Sequence, residues 1–340
     1  MARRVIHVLD VPSLRDRAPR STGAIAALAC AEACAATPEF EHVVTIVGSR
    51  ADAEAAAGLG VRASALSPLP LGSPALAGRS LRRALRAAAE DARIQPWSDR
   101  AARACDAARL PTARFPADLL PSVSRAVGPG REELRARFGL APDIPTIALL
   151  ADPPWHADAR RFVYMVGLLD VAGERVAGLV GSGTASTQRA RRFHAEAAVG
   201  WRMVLADDPV SAVVQACDLA VIVPPAPHRP LSPCDRACIR WSILRSHLLG
   251  VPVIGGAEWL DGGVCPDEAR GALVGASASI TDLGRRLTRL VADGAERQRL
   301  SSAVRTHAGA GATRERYGAM LSAHWGLALR ARPAPSETAA

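Results

Sequence analysis

Three stretches of this chain carry residues whose types and spacing suit an anionic ligand. The first runs from Ser211 to Gly255, where SAVVQACDLAVIVPP leads through a proline-broken polar segment into RACIRWSILRSHLLGVPVIGG. Its polar segment and following helix hold His228, Arg240 and Arg245. Guanidinium and imidazole N–H groups donate hydrogen bonds, which suits phosphate or another anion. Arginines simply displayed on a helix face explain the same pattern. The second is Thr22-Gly23, between an apolar run and a helical one, where a phosphate could meet backbone N–H groups at a helix N-terminus capped by Thr22. With its single glycine it reads equally as a plain connection. The third is Gly181-Ser182-Gly183, directly after an apolar run, where the missing side chains permit a close backbone approach or just a tight turn. Trp155 and His156 follow Pro153-Pro154 at a similar run end, placed either to stack on a base or sugar or to pack.

The cysteines point away from a metal or a disulfide framework. There are seven, an odd and scattered set, which fits a reducing compartment. Cys30 and Cys34 are four apart on a predicted helix, as are Cys234 and Cys238, so each pair shares a face. A zinc site would need two more ligands at matching spacing, and no C-x-x-C occurs, so these read as buried thiols.

The formal net charge of +9 comes from 42 basic residues, every one an arginine. Their clusters at 79–86, 189–192 and 285–289 fall on helical patterns and read as solvated faces. Aromatics are only 4%, too few to interleave for base stacking, which argues against a nucleic-acid partner. Attraction to a phosphorylated ligand, or peripheral contact with an acidic membrane surface, fits the same charge. No apolar run reaches membrane-spanning length and MARRVIHVLD enters a strand directly, so a cytoplasmic location is expected.

The elements that must position these residues alternate between strand and helix. Strands are predicted at 5–9 and 42–48 and helices from Thr22 to about Ala36, at 51–57, 79–92 and 98–110. Residues 66–78 read as an extended loop, Ile94–Trp97 as a connection, and 112–115 as one more strand. The second half predicts helices at 131–138, 157–169, 184–199, 234–249, 279–292, 295–309 and 313–330. Its strands are expected at 144–150, 175–180, 202–205, 218–223, 251–254 and 271–274. Such alternation specifies an α/β fold with parallel sheets and right-handed crossovers. Ligands then bind at the carboxyl ends of the strands, where the loop from Pro224 to Pro233 lies.

In order and spacing, REELRARFGLAPDIPTIALLA, GERVAGLVGSG, SAVVQACDLAVIVPP, LLGVPVIGG and RYGAMLSAHW resemble the C-terminal domain of group 1 (family 4) glycosyltransferases. The resemblance covers roughly Arg131 to Trp325 and the first half only loosely. It implies the GT-B architecture, two Rossmann-like domains facing across a cleft. The expected division is a shortened first domain at 1–127, a second at 128–312, a terminal helix at 313–330 crossing back, and a disordered tail at 331–340. It also implies transfer, with retention, of a sugar from a nucleotide-diphosphate donor to an acceptor, without a metal. In the family a lysine or arginine near the start of the second domain neutralises the diphosphate, and two glutamates eight positions apart hold the donor. Here the second glutamate falls on Arg245, and the first on Ala237, or on His228 if the loop carries an insertion. The family's Lys-Gly pair falls on Ala157-Asp158, leaving Arg160 and Arg161 to supply the charge. No histidine matches the one expected in the first domain, since Gln95-Pro96-Trp97 and Phe115-Pro116-Ala117 occupy the places for it. A degenerate homologue that binds a ligand or a protein without turnover is therefore the second expectation, with donor, acceptor and oligomeric state left open.

Overall fold

The computed structural model describes residues 3–10, 21–47, 63–66, 81, 83, 85, 92–97, 99–110, 112–113, 130–151, 157–181, 185–197, 202–206, 210–224, 233–261, 263–275 and 279–330. Two sheets, each with all its strands parallel, organise them.

The first sheet is built on β1 (Arg3–Asp10), flanked by β2 (Phe40–Val47) and β4 (Ala92–Pro96), with β3 (Ala63–Leu66) outside β2. Strand side chains alternate between faces. Val5 and Leu9 therefore enter one apolar cluster with α1 (Ser21–Ala36), while Ile6 and Val8 enter another against Leu81, Leu85 and α2 (Asp99–Ala107). Covering both faces is what a parallel sheet requires.

Three sequence expectations change in this half. Ile94–Trp97 is no connection: residues 92–96 form a fully buried strand hydrogen-bonded to β1. Polar Gln95 is tolerated there because its amide is satisfied at both ends, donating to the Pro96 carbonyl and accepting from Trp325. Helix α1 begins at Ser21, so Thr22 lies inside it and is not its cap. Leu66, expected to open the extended loop, instead ends strand β3 (Ala63–Leu66). Thr112 makes only an isolated bridge to Ile94. The helix expected at 51–57 and the tail at 331–340 lie outside the described residues.

The second sheet has the order β10-β9-β8-β5-β6-β7. After α3 (Arg131–Arg137) come β5 (Thr146–Leu149), α4 (Ala159–Val171), β6 (Ala177–Val180), α5 (Ala185–Ala197), β7 (Arg202–Leu205), α6 (Val210–Gln215), β8 (Leu219–Val221), α7 (Pro233–Leu248) and β9 (Val253–Gly256). A short α8 (Ala257–Leu260), α9 (Asp267–Leu273), β10 (Val274–Gly275), α10 (Ile280–Ala292), α11 (Gly294–Gly311) and α12 (Arg314–Arg330) complete it. The strand expected over 271–274 is mostly helix. Pro266 leads into it, and Asp267 and Glu268 lie in its first turn, where carboxylates favour helix.

Two polar contacts fix the centre of this half. Asp218, just before β8, accepts from the Thr146 backbone N–H at 2.8 Å, Arg131 at 2.5 Å and Arg135 at 3.2 Å, tying α3 to the amino edge of the two central strands. At the other end of α7, Gly250 adopts φ of 75°, a left-handed conformation that ends the helix and suits glycine. There the buried His247 is held in one tautomer: its Nδ1–H donates to the Val264 carbonyl at 3.0 Å, and its Nε2 accepts from the Val253 N–H at 3.3 Å.

The last helix returns to the first sheet. Tyr317, Leu321 and Trp325 repeat every four residues along α12, and all three are buried in the cluster formed by α1 and β1. Gly318 lies against the end of α1, where an added Cβ would overlap the Ala36 carbonyl oxygen. Backbone there cannot yield as a flexible side chain can. Gly318→Ala is expected to destabilise the fold by ~1–3 kcal/mol, the usual range for overpacking, read from chemical denaturation. An unchanged midpoint would mean that the helix is not docked this closely.

A second expectation concerns His247. Burial is the main cause that holds its pKa down, to about 3, with the Val264 bond opposing. The unfolded value is ~6.5, so the folded value is depressed. The neutral ring's contribution is therefore complete above pH ~6.5 and is lost as pH falls toward 3, at up to ~1.4 kcal/mol per pH unit. The stability gap between the native chain and His247→Gln should narrow as urea denaturation is moved from pH 7.5 to 4.5. A gap independent of pH would contradict the tautomer assignment.

Candidate functional site

The carboxyl edge of the second sheet is assembled around the start of α4. The Asp158 N–H donates to the Val223 carbonyl at 2.7 Å, which brings the approach to α4 against the end of β8. Asp158 then caps the helix, its Oδ1 accepting from the backbone N–H groups of Arg160 at 3.0 Å and Arg161 at 3.2 Å. The Arg161 guanidinium reaches over β8 and donates to the Pro224 carbonyl at 2.5 Å. The Arg160 guanidinium lies 5.3 Å from the centre of the Phe193 ring of α5, a cation–π arrangement. Gly181 follows β6 directly and is buried. Arg160, Arg161 and Gly181 thus sit at the carboxyl ends of neighbouring strands β8, β5 and β6. Gly183, His228, Trp155 and His156 fall outside the described residues.

The two arginines of α7 are placed differently. The helix leaves the carboxyl edge at Pro233 and advances ~1.5 Å per residue. Arg245, twelve residues on, is therefore ~18 Å down its axis, in its last turn. Its guanidinium lies 5.2 Å from the Trp241 ring centre, and Arg240 is buried on the same helix. The structure does not bring this pair to the start of α4. Ala237, at the place where the resemblance expects a glutamate, packs against the apolar cluster of Tyr317 and Trp325. Thr22 and Gly23 lie in the first turn of α1, on the other sheet.

The electrostatics of this edge rest on side chains. Asp158 occupies the first amide donors of α4, and its carboxylate complements the helix dipole that would otherwise attract phosphate. An anion there must be met by the Arg160 and Arg161 guanidinium groups, each already resting on a protein neighbour.

A second cluster, on the first sheet, was not singled out by sequence reasoning. His42 pairs in register with Val5, two residues before His7, so both imidazoles emerge on the same face. Cys34 meets them from the last turns of α1. His7 Nε2 lies 2.9 Å from His42 Nδ1 and 3.7 Å from Cys34 Sγ. The Trp97 indole N–H donates to His7 Nδ1 at 3.1 Å, and His42 Nε2 donates to the Thr37 carbonyl at 2.8 Å. Trp325 closes the group with its ring edge-on, 5.7 Å from His7 and 6.1 Å from His42 between ring centres. A hydrogen bond from Cys30 is the largest cause that holds the Cys34 thiol well below the usual thiol range. Hydrogen bonds with His42 and His7 add to it, against the effect of burial. Burial would lower His42, but its bonds with Cys34 and the Thr37 carbonyl leave it raised.

These three ligand atoms lie within 4.8 Å of one another, and two imidazoles with a thiolate are a donor set that zinc accepts. Trp97 works against a metal. A metal on His7 Nε2 requires the proton on Nδ1, where a metal-bound histidine normally donates to an acceptor; here Nδ1 faces the Trp97 donor. The cysteine spacing alone could not reveal this group, because its other members arrive from strands 27 residues before Cys34 and eight after it.

A scan of known protein families matches none, and no curated protein matches the sequence. Solved structures do resemble the fold. HepE of Anabaena, crystallised with UDP and glucose, superposes with a TM-score of 0.65 at 12% identity, covering 96% of this chain and all of HepE. Sucrose-phosphate synthase of Thermosynechococcus elongatus gives 0.62 at 12% identity over 97% of this chain and 100% of its own. A glycosyltransferase of Rickettsia africae gives 0.62 at 8% identity, again over 97% and 100%. With its two parallel sheets, this chain has the GT-B-type α/β fold of such glycosyltransferases, with a small first domain.

Proposed function

We propose that the chain is a glycosyltransferase-like protein that binds a nucleotide-diphosphate sugar at the carboxyl edge of the second sheet. If it turns over, it transfers the sugar to an acceptor with retention, and positive side chains rather than a metal stabilise the departing diphosphate. The observation that carries this is the convergence of Arg160, Arg161 and Gly181 on one edge of a sheet whose fold is shared with proteins crystallised with UDP and UDP-glucose. Arg161 and Arg160 take the diphosphate, Gly181 and Gly183 allow its close approach, and His228 comes from the loop after β8. Thr22 and Gly23, in the first turn of α1, are further phosphate-binding candidates. In this reading 1–127 form the first domain, 128–312 the second, 313–330 the helix crossing back, and 331–340 a tail. The protein works in the cytoplasm, with peripheral membrane contact through its arginine-rich faces; among the described residues no helix is long and apolar enough to cross a membrane.

A second reading is favoured by specific substitutions. Glutamate accepts hydrogen bonds from ribose hydroxyls, whereas arginine only donates. Arg245 and Ala237 therefore cannot do what the resemblance assigns to their positions, and Asp158 puts a carboxylate where the family has glycine. Groups of this kind each commonly contribute ~10²–10³ in rate. Binding with weak or no turnover, as a ligand- or protein-binding module, follows from those losses.

The two readings separate on a panel of uridine, guanosine and adenosine diphosphate sugars. Thermal shift and calorimetry should detect binding of at least one, lost in the double variant Arg160→Ala/Arg161→Ala, with transfer and hydrolysis near background. Robust turnover abolished by that double variant would overturn the degenerate reading. No nucleotide binding at all would overturn the donor site.

A further inference from the structure

The cluster on the first sheet stands apart from the edge proposed to bind nucleotide, and its proton positions define a different chemistry. Trp97 fills the lone pair of His7 Nδ1, so His7 carries its proton on Nε2 and presents it to His42 Nδ1 and Cys34 Sγ. His42 Nε2 keeps its own proton on the Thr37 carbonyl. The basic nitrogen left in the group is His42 Nδ1, which accepts from His7 while Cys34 is neutral. When it takes the Cys34 proton, the His7 Nε2–H can no longer point at it and turns to the sulfur 3.7 Å away. Charge-assisted hydrogen bonds of this kind are about twice as strong as neutral ones.

Cys34 is half-buried at the margin of the apolar cluster, whereas Cys30, Cys105, Cys217 and Cys265 are buried. The other titratable groups near it are Cys30 on the same helix, Glu39 beside His42, Tyr317 from α12 with Cys238 from α7, and Glu32, which is paired with Arg314. Tyr317 is fully buried in the same cluster, close enough to feel the Cys30 and Cys34 charges, and its hydroxyl has no hydrogen-bond partner among the described residues.

We propose that Cys34, with its sulfur against His7 and His42, is a nucleophile at which soft electrophiles and hydroperoxides react. With hydrogen peroxide the thiolate attacks one oxygen, the S–O bond forms and the O–O bond breaks. Hydroxide leaves and takes the His42 Nδ1 proton as water, and a sulfenic acid remains on Cys34. With iodoacetamide the C–S bond forms and iodide leaves.

The test is the pH profile of Cys34 carbamidomethylation in the native chain, read by peptide mass spectrometry from pH 5 to 9. An ordinary thiol inflects near ~8.5 and is less than ~1% thiolate at pH 6. Full ionisation raises the thiolate fraction at pH 6 about 300-fold, but the lower intrinsic nucleophilicity of so acidic a thiol offsets most of that gain, so native Cys34 is told from the same peptide in urea by the shape of its profile. Its rate should stay flat down to pH 6. His42→Gln should move the inflection up, Cys30→Ala, which removes the largest hydrogen bond to the sulfur, should move it further, and Trp97→Phe, which keeps an aromatic ring in the core, should shift it part of the way. Brief peroxide treatment should give a dimedone adduct on Cys34 in the native chain and not in His42→Gln. An ordinary profile in the native chain overturns the proposal. So does stoichiometric zinc binding that protects Cys34 from alkylation, since the cluster would then be a metal site.

Discussion

One buried hydrogen bond fastens the last helix to the first sheet: the Trp325 indole N–H donates to the Gln95 side chain of the edge strand β4 at 3.1 Å. Both groups are buried, so neither can be left without the other at a cost below ~1–3 kcal/mol. Much follows from that pairing. It makes a strand containing glutamine, arginine and proline acceptable inside the first sheet. It also sets α12 on α1 in the register that brings Gly318 to Ala36 and Trp325 over His7 and His42. The group around Cys34 is therefore closed by a residue nearly 300 positions away.

The second half depends on a more ordinary constraint. A parallel sheet buried on both faces leaves only strand ends for chemistry. Asp218 pins the amino ends of the central strands, and the start of α4 gathers at their carboxyl ends. The same local structure that positions Arg160 and Arg161 also weakens the site. Asp158 satisfies the helix amides, leaving the guanidinium groups to meet any phosphate. Arginine and alanine at the positions where the resemblance expects glutamates are the physical basis for proposing binding ahead of turnover.

Much of the fold was legible in the sequence, most clearly where apolar runs of four to eight residues alternate with helical periodicity, as in β5 through β9. Gly250 after α7 marked a helix boundary that the structure keeps. Legibility failed where tertiary contacts override composition. Residues 92–96 contain arginine, glutamine and proline, and only the partner Trp325 and the pairing with β1 make them a strand. Around Gly271, acidic residues in the first turn explain a helix where the apolar GALV alone suggests a strand. The site was legible in part. Arg160 and Arg161 could be found by resemblance, but the guanidinium contacts with Phe193 and Pro224 required the fold. The His7–Cys34–His42 group had no linear signature, because it comes from two parallel strands and a helix in register.

Hydrogen–deuterium exchange with and without UDP-glucose tests the central account most directly, because it maps where a nucleotide sugar acts without assuming turnover. The account predicts slowed exchange across 157–165 at the start of α4 and across the residues following β6. The first sheet should be little changed. Protection confined to the first sheet, or none at saturating ligand, would contradict it.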